Sequence, residues 1–116
     1  MRDRSEFTLR KQKDFSRIYK SGESKGSRFV VVLYKKNGLG YTRTAFVSSK
    51  KVGNAVMRNR ARRLMREAYR AFGPQVKEGY DIIYVARNTI NGHKEKEVEK
   101  NMRSATAGCG LLVKHQ

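Results

Sequence analysis

The sequence is poor in several residue types, and each shortage excludes a class of protein. A single cysteine, Cys109, in 116 residues permits no internal disulfide and no cysteine-rich zinc site. One proline and no Pro/Gly/Ser-rich stretch leave no linker, so we expect a single domain over residues 1–116. No run of about 18 apolar residues exists, which predicts that no helix spans a membrane. The N-terminal residues lack the apolar stretch of a secretory signal, and we expect a cytoplasmic protein.

Acidic side chains are the largest shortage. Ten Asp and Glu residues stand against 27 Lys and Arg residues, which gives a formal net charge of +17. Repulsion of this size opposes a compact fold unless a polyanion neutralises it. The excess is concentrated in residues 37–70, with nine basic side chains and one acidic, whereas residues 71–116 carry seven and five. Nucleic acid is the partner that this balance favours.

Residues suited to catalysis are also scarce. His93 and His115 have no suitably spaced Asp, Glu or Cys partner that would indicate a catalytic triad or a metal site. The segment GNAVMRNR (53–60) lacks the terminal Gly-Lys-Ser/Thr of a phosphate-binding loop. We therefore predict that the protein itself has no catalytic residues and binds neither metal nor cofactor.

Local patterns predict a small α+β domain. They indicate helices over residues 12–20, 55–72 and 92–108, and strands over residues 28–36, 41–49 and 80–87. The turn NGLG (37–40) predicts a hairpin that joins the first two strands. The strand–helix–strand order that follows allows the third strand to lie parallel to the second. The order α-β-β-α-β-α thus predicts a compact α-β sandwich with helices on a mixed sheet.

The second helix carries six arginines and one acid within VMRNRARRLMREAYR (56–70). Asn54 is the expected N-cap and Gly73-Pro74 the expected stop. On a helical wheel, Glu67 faces Arg63 one turn away and lies beside Arg60 on the other flank. The predicted core side consists of Met57, Ala61, Leu64, Met65, Ala68 and Phe72. The opposite arc consists of Arg58, Asn59, Arg62, Arg63, Arg66 and Arg70, with Tyr69 at its margin.

This arc has two interpretations, a solvated helix face and a surface that binds RNA. Solvated faces usually mix both signs of charge, and arginine in particular binds phosphate oxygens bidentately. Lys50 and Lys51 extend the basic patch ahead of the helix, and the helix N-terminus at Asn54 presents backbone N–H groups to a phosphate. We therefore favour RNA binding.

A second candidate surface is aromatic. Phe15 and Tyr19 lie one turn apart on the first helix, among basic residues. They fit two roles equally well, packing of the helix on the sheet or a platform on which single-stranded RNA stacks. Tyr34 and Phe46, on predicted strands, are mainly core candidates that could line the same groove.

The segment SSKKVGNAVMRNRARRLMREAYR (48–70) strongly resembles the signature of the bacterial ribonuclease P protein subunit. KDFSRIYKSG (13–22) resembles the first helix of that family, and GYDIIYVAR (79–87) resembles its later strand. Ala45 departs from the pattern, because family members often have glycine there. The resemblance covers nearly the whole chain.

The resemblance implies a ribonucleoprotein endoribonuclease that removes the 5′ leader of precursor tRNA. In this family the RNA subunit performs the chemistry with bound Mg²⁺, and the protein alone performs none. The expected partners are ribonuclease P RNA and precursor tRNA, with no membrane and no obligate protein partner. The implied fold contains a left-handed β-α-β crossover, although right-handed crossovers are the strong default.

The motif match and the charge pattern together assign residues to two surfaces. The expected contacts to the RNA subunit are Lys51, Asn54, Arg58, Asn59, Arg60, Arg62, Arg63, Arg66 and Arg70. The expected contacts to the leader are Phe15, Tyr19, Tyr34 and Lys50. Tyr34 depends on register, since a shift of one residue moves it to the other face of the sheet.

Two other classes of protein compete with this interpretation. Another small basic RNA-binding protein, such as a ribosomal protein, would share the charge but would not support precursor tRNA processing. A membrane-surface protein would need an apolar helix face to insert, and the arginine-rich helix uses its apolar side for the core.

Overall fold

The computed structural model describes residues 7–113, which form three α-helices and four β-strands. Short 3₁₀ turns at Gly73–Gln75 and Asn88–Ile90 flank the last strand. The elements are α1 (Gln12–Ser21), β1 (Glu23–Gly26), β2 (Val30–Lys36), β3 (Arg43–Val47), α2 (Ala55–Phe72), β4 (Tyr80–Ala86) and α3 (Glu95–Gly108). The predicted α+β class, a mixed sheet with helices, is confirmed. Within this range no helix is long and apolar enough to cross a bilayer.

The sheet has the order β1-β2-β4-β3. β2 pairs antiparallel with β1 and with β4, whereas β3 pairs parallel with β4, as the strand–helix–strand order predicted. The predicted hairpin between β2 and β3 is wrong, because β4 lies between them. β4 takes this central place because Ile82, Ile83 and Tyr84 bury side chains on both faces of the sheet. β1 was missed because its four residues are all exposed and show no apolar alternation.

The two faces of the sheet carry different helices. Val32, Ile82 and Tyr84 pack with α2 and α3 in the larger core. The opposite face, including Ile83, packs against Ile18 of α1 in a smaller cluster. α1 is therefore the one helix on this face of the sheet within residues 7–113. Ile18 is its one buried residue, so apolar burial contributes little to holding it there.

The β3–α2–β4 crossover is left-handed, as the family resemblance implied. The Thr44 carbonyl accepts a hydrogen bond from the N–H of Leu9, so it points away from β4. Thr44 shares its face with Phe46, whose ring contacts Tyr69 of α2. When the strands are viewed upright from the α2 side, the side chain of Thr44 points toward the viewer. The carbonyl of an L-residue in this orientation points to the right. Because the Thr44 carbonyl points away from β4, β4 lies to the left of β3. The chain thus passes in front of the sheet and moves left.

The predicted bounds of α2 are confirmed. The Asn54 side chain accepts a hydrogen bond from the N–H of Met57 at 3.0 Å, which caps the first turn. Met57 itself was predicted to lie in the core but is 37% exposed. Its sulfur lies over Gly53 in the preceding loop, where the φ of 143° favours glycine. The rest of the predicted core stripe is buried: Ala61, Leu64, Met65, Ala68 and Phe72.

α3 begins at Glu95, three residues later than predicted, because Gly92 turns the chain with a φ of 83°. Its expected apolar line is buried, as Val98 and Met102 show. The expected pairing of acids with bases along the helix occurs between Glu99 and Arg103, whose charged atoms lie 3.3 Å apart.

A buried carboxylate joins the elements at one end of the sheet. Asp81 of β4 is 0% exposed and accepts two hydrogen bonds from Arg43 of β3, at 2.8 and 2.7 Å. Arg17 of α1 also donates to it, and Asn37 donates at 3.0 Å. Burial, the largest single effect, raises the pKa of Asp81. The hydrogen bonds from Arg43 and Asn37 and the charges of the two arginines together outweigh burial and hold the pKa below its ordinary value.

Replacing this carboxylate with a neutral amide tests the network. We expect Asp81→Asn to lower the free energy of unfolding at pH 7 by about 3 kcal/mol, since a buried ion pair loses one partner. A lowered native pKa stabilises the fold above the unfolded-state pKa of about 3.9, and that stability is lost as the pH falls through the native pKa. The variant should therefore lose less stability than the wild type below about pH 4. Urea unfolding between pH 7 and pH 2.5 measures both effects, and parallel pH profiles would contradict this account.

Candidate nucleic-acid interface

The exposed side of α2 forms the first candidate surface, which we call the arginine face. Its members are Arg58, Asn59, Arg62, Arg63, Arg66 and Arg70, the arc that the helical wheel predicted. Asn59, Arg63, Arg66 and Arg70 are exposed, whereas Arg58 and Arg62 are partly buried. The last three arginines of the face, from Arg63 on, have no hydrogen bond or ion pair to any residue in the range 7–113. Their charge is left for an external anion.

Two arginines of α2 are held by other parts of the protein. Arg62 donates to the Ser48 hydroxyl at 3.0 Å and to the side chain of Asn59. Ser48 in turn donates to the Arg58 carbonyl at 2.9 Å, so the end of β3 orients the first turns of the helix. Arg60 lies on the other flank, as predicted, and donates to the His93 carbonyl at 2.7 Å. These contacts fix part of the guanidinium array before any ligand arrives.

The predicted pairing of Glu67 with Arg63 is absent, because no ion pair within 4.0 Å joins them in the described part of the chain. Both side chains are exposed. Exposed pairs of this kind gain little energy, so water solvates each group separately. Among residues 7–113, no acid therefore neutralises Arg63, Arg66 or Arg70.

The loop before α2 adds further positive charge. Lys50 and Lys51 are exposed in the turn that joins β3 to α2, next to the helix N-terminus. The Asn54 cap occupies the N–H of Met57, so the anion contacts predicted at this end fall to the other N–H groups of the first turn. The basic surface thus continues from the helix into the loop.

The aromatic pair on α1 is divided by the structure. Phe15 is partly buried and packs against the smaller core cluster, which contains Ile18 and Ile83. Tyr19 is 51% exposed, and partial burial raises its pKa. Phe15 therefore packs in the core and keeps part of its ring accessible to solvent, whereas Tyr19 is mainly a surface residue.

Tyr34 does not share a surface with the other proposed leader contacts. It lies on the α3 side of β2, and its hydroxyl donates to Glu23 at 2.9 Å. Leu33 occupies the α1 side instead. The sequence shows that alternate residues of β2 point to opposite faces of the sheet. The register of β2 against β4 decides which of these two faces α1 covers.

A cavity of about 480 Å³ connects the two candidate surfaces along the outer edge of β3. Phe15 lies on one side of it, and Arg66, Tyr69 and Arg70 of α2 lie on the other. Tyr19 does not line it. The sequence predicted two separate surfaces. It could not show that they meet, because the helices that carry these groups lie on opposite faces of the sheet and approach each other only around its edge.

No group of three or more His, Cys, Asp or Glu side chains suited to a metal ion occurs among residues 7–113. His93 instead contacts Glu97 at 2.8 Å and packs against the ring of Phe29. His115 lies outside the described residues. The candidate surfaces in this range consist of cations, amides and aromatic rings, groups suited to contacts with phosphates and bases.

Comparison with known proteins places these features in a family. A model of the Ribonuclease P family matches residues 4–109. The ribonuclease P protein component of Alkaliphilus oremlandii is 44% identical over 91 residues, which cover 78% of this chain and 80% of that protein. The chain belongs to the ribonuclease P protein family. The component from Clostridioides difficile is 39% identical over 106 residues, 90% of this chain and 93% of that protein.

Solved structures of the ribonuclease P family share the fold. The RNase P protein of Staphylococcus aureus is similar with a TM-score of 0.82 and 29% identity, covering 91% of this chain and 97% of that one. The RNase P protein of Thermotoga maritima has a TM-score of 0.76 and 31% identity, covering 84% and 92%. RNA binding and tRNA processing are the functions that accompany membership of this family.

The different burial of the aromatic pair gives a stability prediction. Phe15→Ala should lower the free energy of unfolding by about 1–3 kcal/mol, less than the roughly 3–5 kcal/mol of a fully buried phenylalanine. Tyr19→Ala should stay within about 0.5 kcal/mol of the wild type, because its ring is mostly in water. Urea unfolding of both variants measures the difference. Equal losses would show that Tyr19 also carries part of the core.

Proposed function

We propose that this protein binds the catalytic RNA of ribonuclease P and the 5′ leader of precursor tRNA, and so supports 5′ maturation of tRNA. The observation that carries the proposal is the arginine face: Arg63, Arg66 and Arg70 are exposed on α2 and have no hydrogen bond or ion pair among residues 7–113. Guanidinium groups suit the phosphates of a folded RNA because they bind two oxygens at once. The RNA subunit with its bound Mg²⁺ performs the cleavage, and the protein supplies binding and position.

The two surfaces have different roles in this proposal. The arginine face, Arg60 and the loop residues Lys51 and Asn54 contact the RNA subunit. Phe15, Tyr19 and Lys50 contact the single-stranded leader, with stacking on the rings and phosphate contact at the lysine. Tyr34 is left out of the leader surface, since it lies on the far side of the sheet.

Reconstitution tests the proposal directly. The full-length protein, mixed at low Mg²⁺ with a bacterial ribonuclease P RNA and a precursor tRNA, should increase release of the 5′ leader over the RNA alone. The protein and Mg²⁺ without the RNA subunit should give no cleavage at the mature 5′ end. Gel analysis of end-labelled precursor distinguishes the cases. Specific cleavage by the protein alone would place the chemistry on the protein and refute the division of labour.

The unpaired arginines should dominate the salt dependence of RNA binding. Arg63→Ala combined with Arg66→Ala should weaken binding to the RNA subunit and reduce the slope of log K against log[salt] by roughly 0.7–0.9 for each lost phosphate contact. Lys25→Ala combined with Lys36→Ala is the matched control: it removes the same charge from exposed positions on β1 and β2, away from α2. Filter binding from 50 to 300 mM salt measures both. Equal slope changes would indicate unspecific attraction.

The leader surface predicts a difference between substrates. The holoenzyme that carries Tyr19→Ala should bind precursor tRNA more weakly by roughly 1–3 kcal/mol, the value of one stacked base. Its affinity for mature tRNA, which has no leader, should be unchanged. Assembly with the RNA subunit should also be unchanged, because the arginine face is on another helix. Equal losses for both tRNAs would remove Tyr19 from the leader surface.

A further inference from the structure

The cavity at the outer edge of β3 has an unusual combination of walls. Partly buried aromatic rings from three elements, Phe15, Phe46 and Tyr69, line it together with two arginines. The rings of Phe46 and Tyr69 meet edge to face with centroids 5.7 Å apart, so both are held in place. A volume of about 480 Å³ lies within the range of small-ligand pockets.

The edge of β3 supplies a donor and an acceptor to this cavity. The Thr44 carbonyl points outward and accepts a hydrogen bond from the N–H of Leu9. Backbone groups alternate in direction along a strand, so the N–H and C=O of Phe46 also point outward. Neither has a partner among residues 7–113. One residue that offers both an N–H and a C=O side by side matches the hydrogen-bonding edge of a nucleobase, which pairs a donor with an acceptor.

The opposite wall supplies charge. Arg66 and Arg70 are four residues apart on α2, so their side chains lie on the same side of the helix. Both border the cavity and are without an ion pair in the described range. The hydroxyl of Tyr69, which precedes Arg70 on the helix, has no hydrogen-bond partner among residues 7–113, and burial of the ring raises its pKa to about 12, so it remains a donor at neutral pH. Two cations and one hydroxyl at the mouth of an aromatic cavity suit a phosphate attached to a base.

We propose that this cavity binds a single unstacked nucleotide of an RNA. The base lies among the aromatic rings and contacts the backbone of Phe46, and its phosphate lies against Arg66 and Arg70. This inference rests on the proposed function in that the ligand is RNA, and it adds a site that joins the arginine face to the aromatic side. The nucleotide comes either from the leader or from the RNA subunit, since the chemistry is the same.

The first test needs no RNA subunit. Five-nucleotide oligoribonucleotides, intact or with the base missing from the central nucleotide, are bound to the full-length protein by fluorescence anisotropy. The wild type should bind the intact oligonucleotide about 5- to 150-fold more tightly, the effect of one stacked base. Thr44→Tyr places a ring in the cavity from a partly buried lining position on β3 and should reduce this ratio to within twofold of one. Arg63→Ala, which removes charge from the arginine face outside the cavity, should weaken both oligonucleotides and keep the ratio.

Two results would overturn the proposal: a wild-type ratio near one, or a ratio that survives in a folded Thr44→Tyr protein. If that variant fails to fold, photocrosslinking of wild-type protein to oligonucleotides that contain 4-thiouridine decides the matter. Crosslinks within residues 44–47 or at Tyr69 support the cavity, and crosslinks confined to Tyr19 refute it.

Holoenzyme crosslinking then identifies the source of the nucleotide. 4-Thiouridine is placed either in the precursor leader or in the RNA subunit, and a crosslink to the cavity from one of them assigns the source. Crosslinks from neither would refute the site. Processing of precursor tRNA by the reconstituted wild-type holoenzyme is measured separately. If the protein does not support processing but binds the intact oligonucleotide more tightly than the one without the base, the proposed function alone is refuted. If it supports processing but binds both oligonucleotides equally, the cavity alone is refuted.

Discussion

The buried carboxylate of Asp81 is the interaction on which the relative positions of the other elements depend. It binds Arg17 of α1, Arg43 of β3 and Asn37 of the turn after β2, and it belongs to the central strand. α1 has one fully buried side chain, so apolar packing alone would hold it weakly on its face of the sheet. The ion pair at Arg17 supplies a directional constraint instead. The place of the aromatic residues of α1 relative to the sheet follows from it.

The same network pairs two of the arginines of a chain that has a net charge of +17. Arg17 and Arg43 are neutralised within the fold by Asp81 and by Asp14, which lies 3.5 Å from Arg43. Other arginines, such as Arg62, bind uncharged oxygens and keep their charge. The exposed arginines that follow on α2 have neither kind of partner in the part of the chain that the structure describes. The described part of the molecule thus separates arginines that bind within the fold from those that have no partner there, and the RNA binding we propose would relieve the repulsion among the latter.

The position of β3 at the sheet edge gives the interface its form. A hairpin between β2 and β3 could have left β3 between two strands, with its backbone groups paired on both sides. Because β4 takes the central place, the outer side of β3 pairs with Thr8 and Leu9 at Thr44 and leaves the backbone of Phe46 without a partner among residues 7–113, and the crossover brings α2 past that side. Phe15 and Arg66, which belong to helices on opposite faces, therefore meet around Phe46. The candidate site is a consequence of topology as much as of composition.

The sequence by itself determined whatever depends on neighbours along the chain: the Asn54 cap, the stop at Gly73-Pro74, the buried stripe of α2 and its unbalanced charge. A long motif also determined the family. Only the tertiary structure decided the strand order, the face that Tyr34 occupies and the arginines that find partners, such as Arg60 with the His93 carbonyl. The physical reason is that the alternation of residues along a strand and the period of a helix show which residues share a face. Which neighbour that face meets depends on the strand order, and the strand order depends on which strand buries the most apolar surface at the centre of the sheet. That choice is made between segments far apart in sequence, and no local pattern contains it.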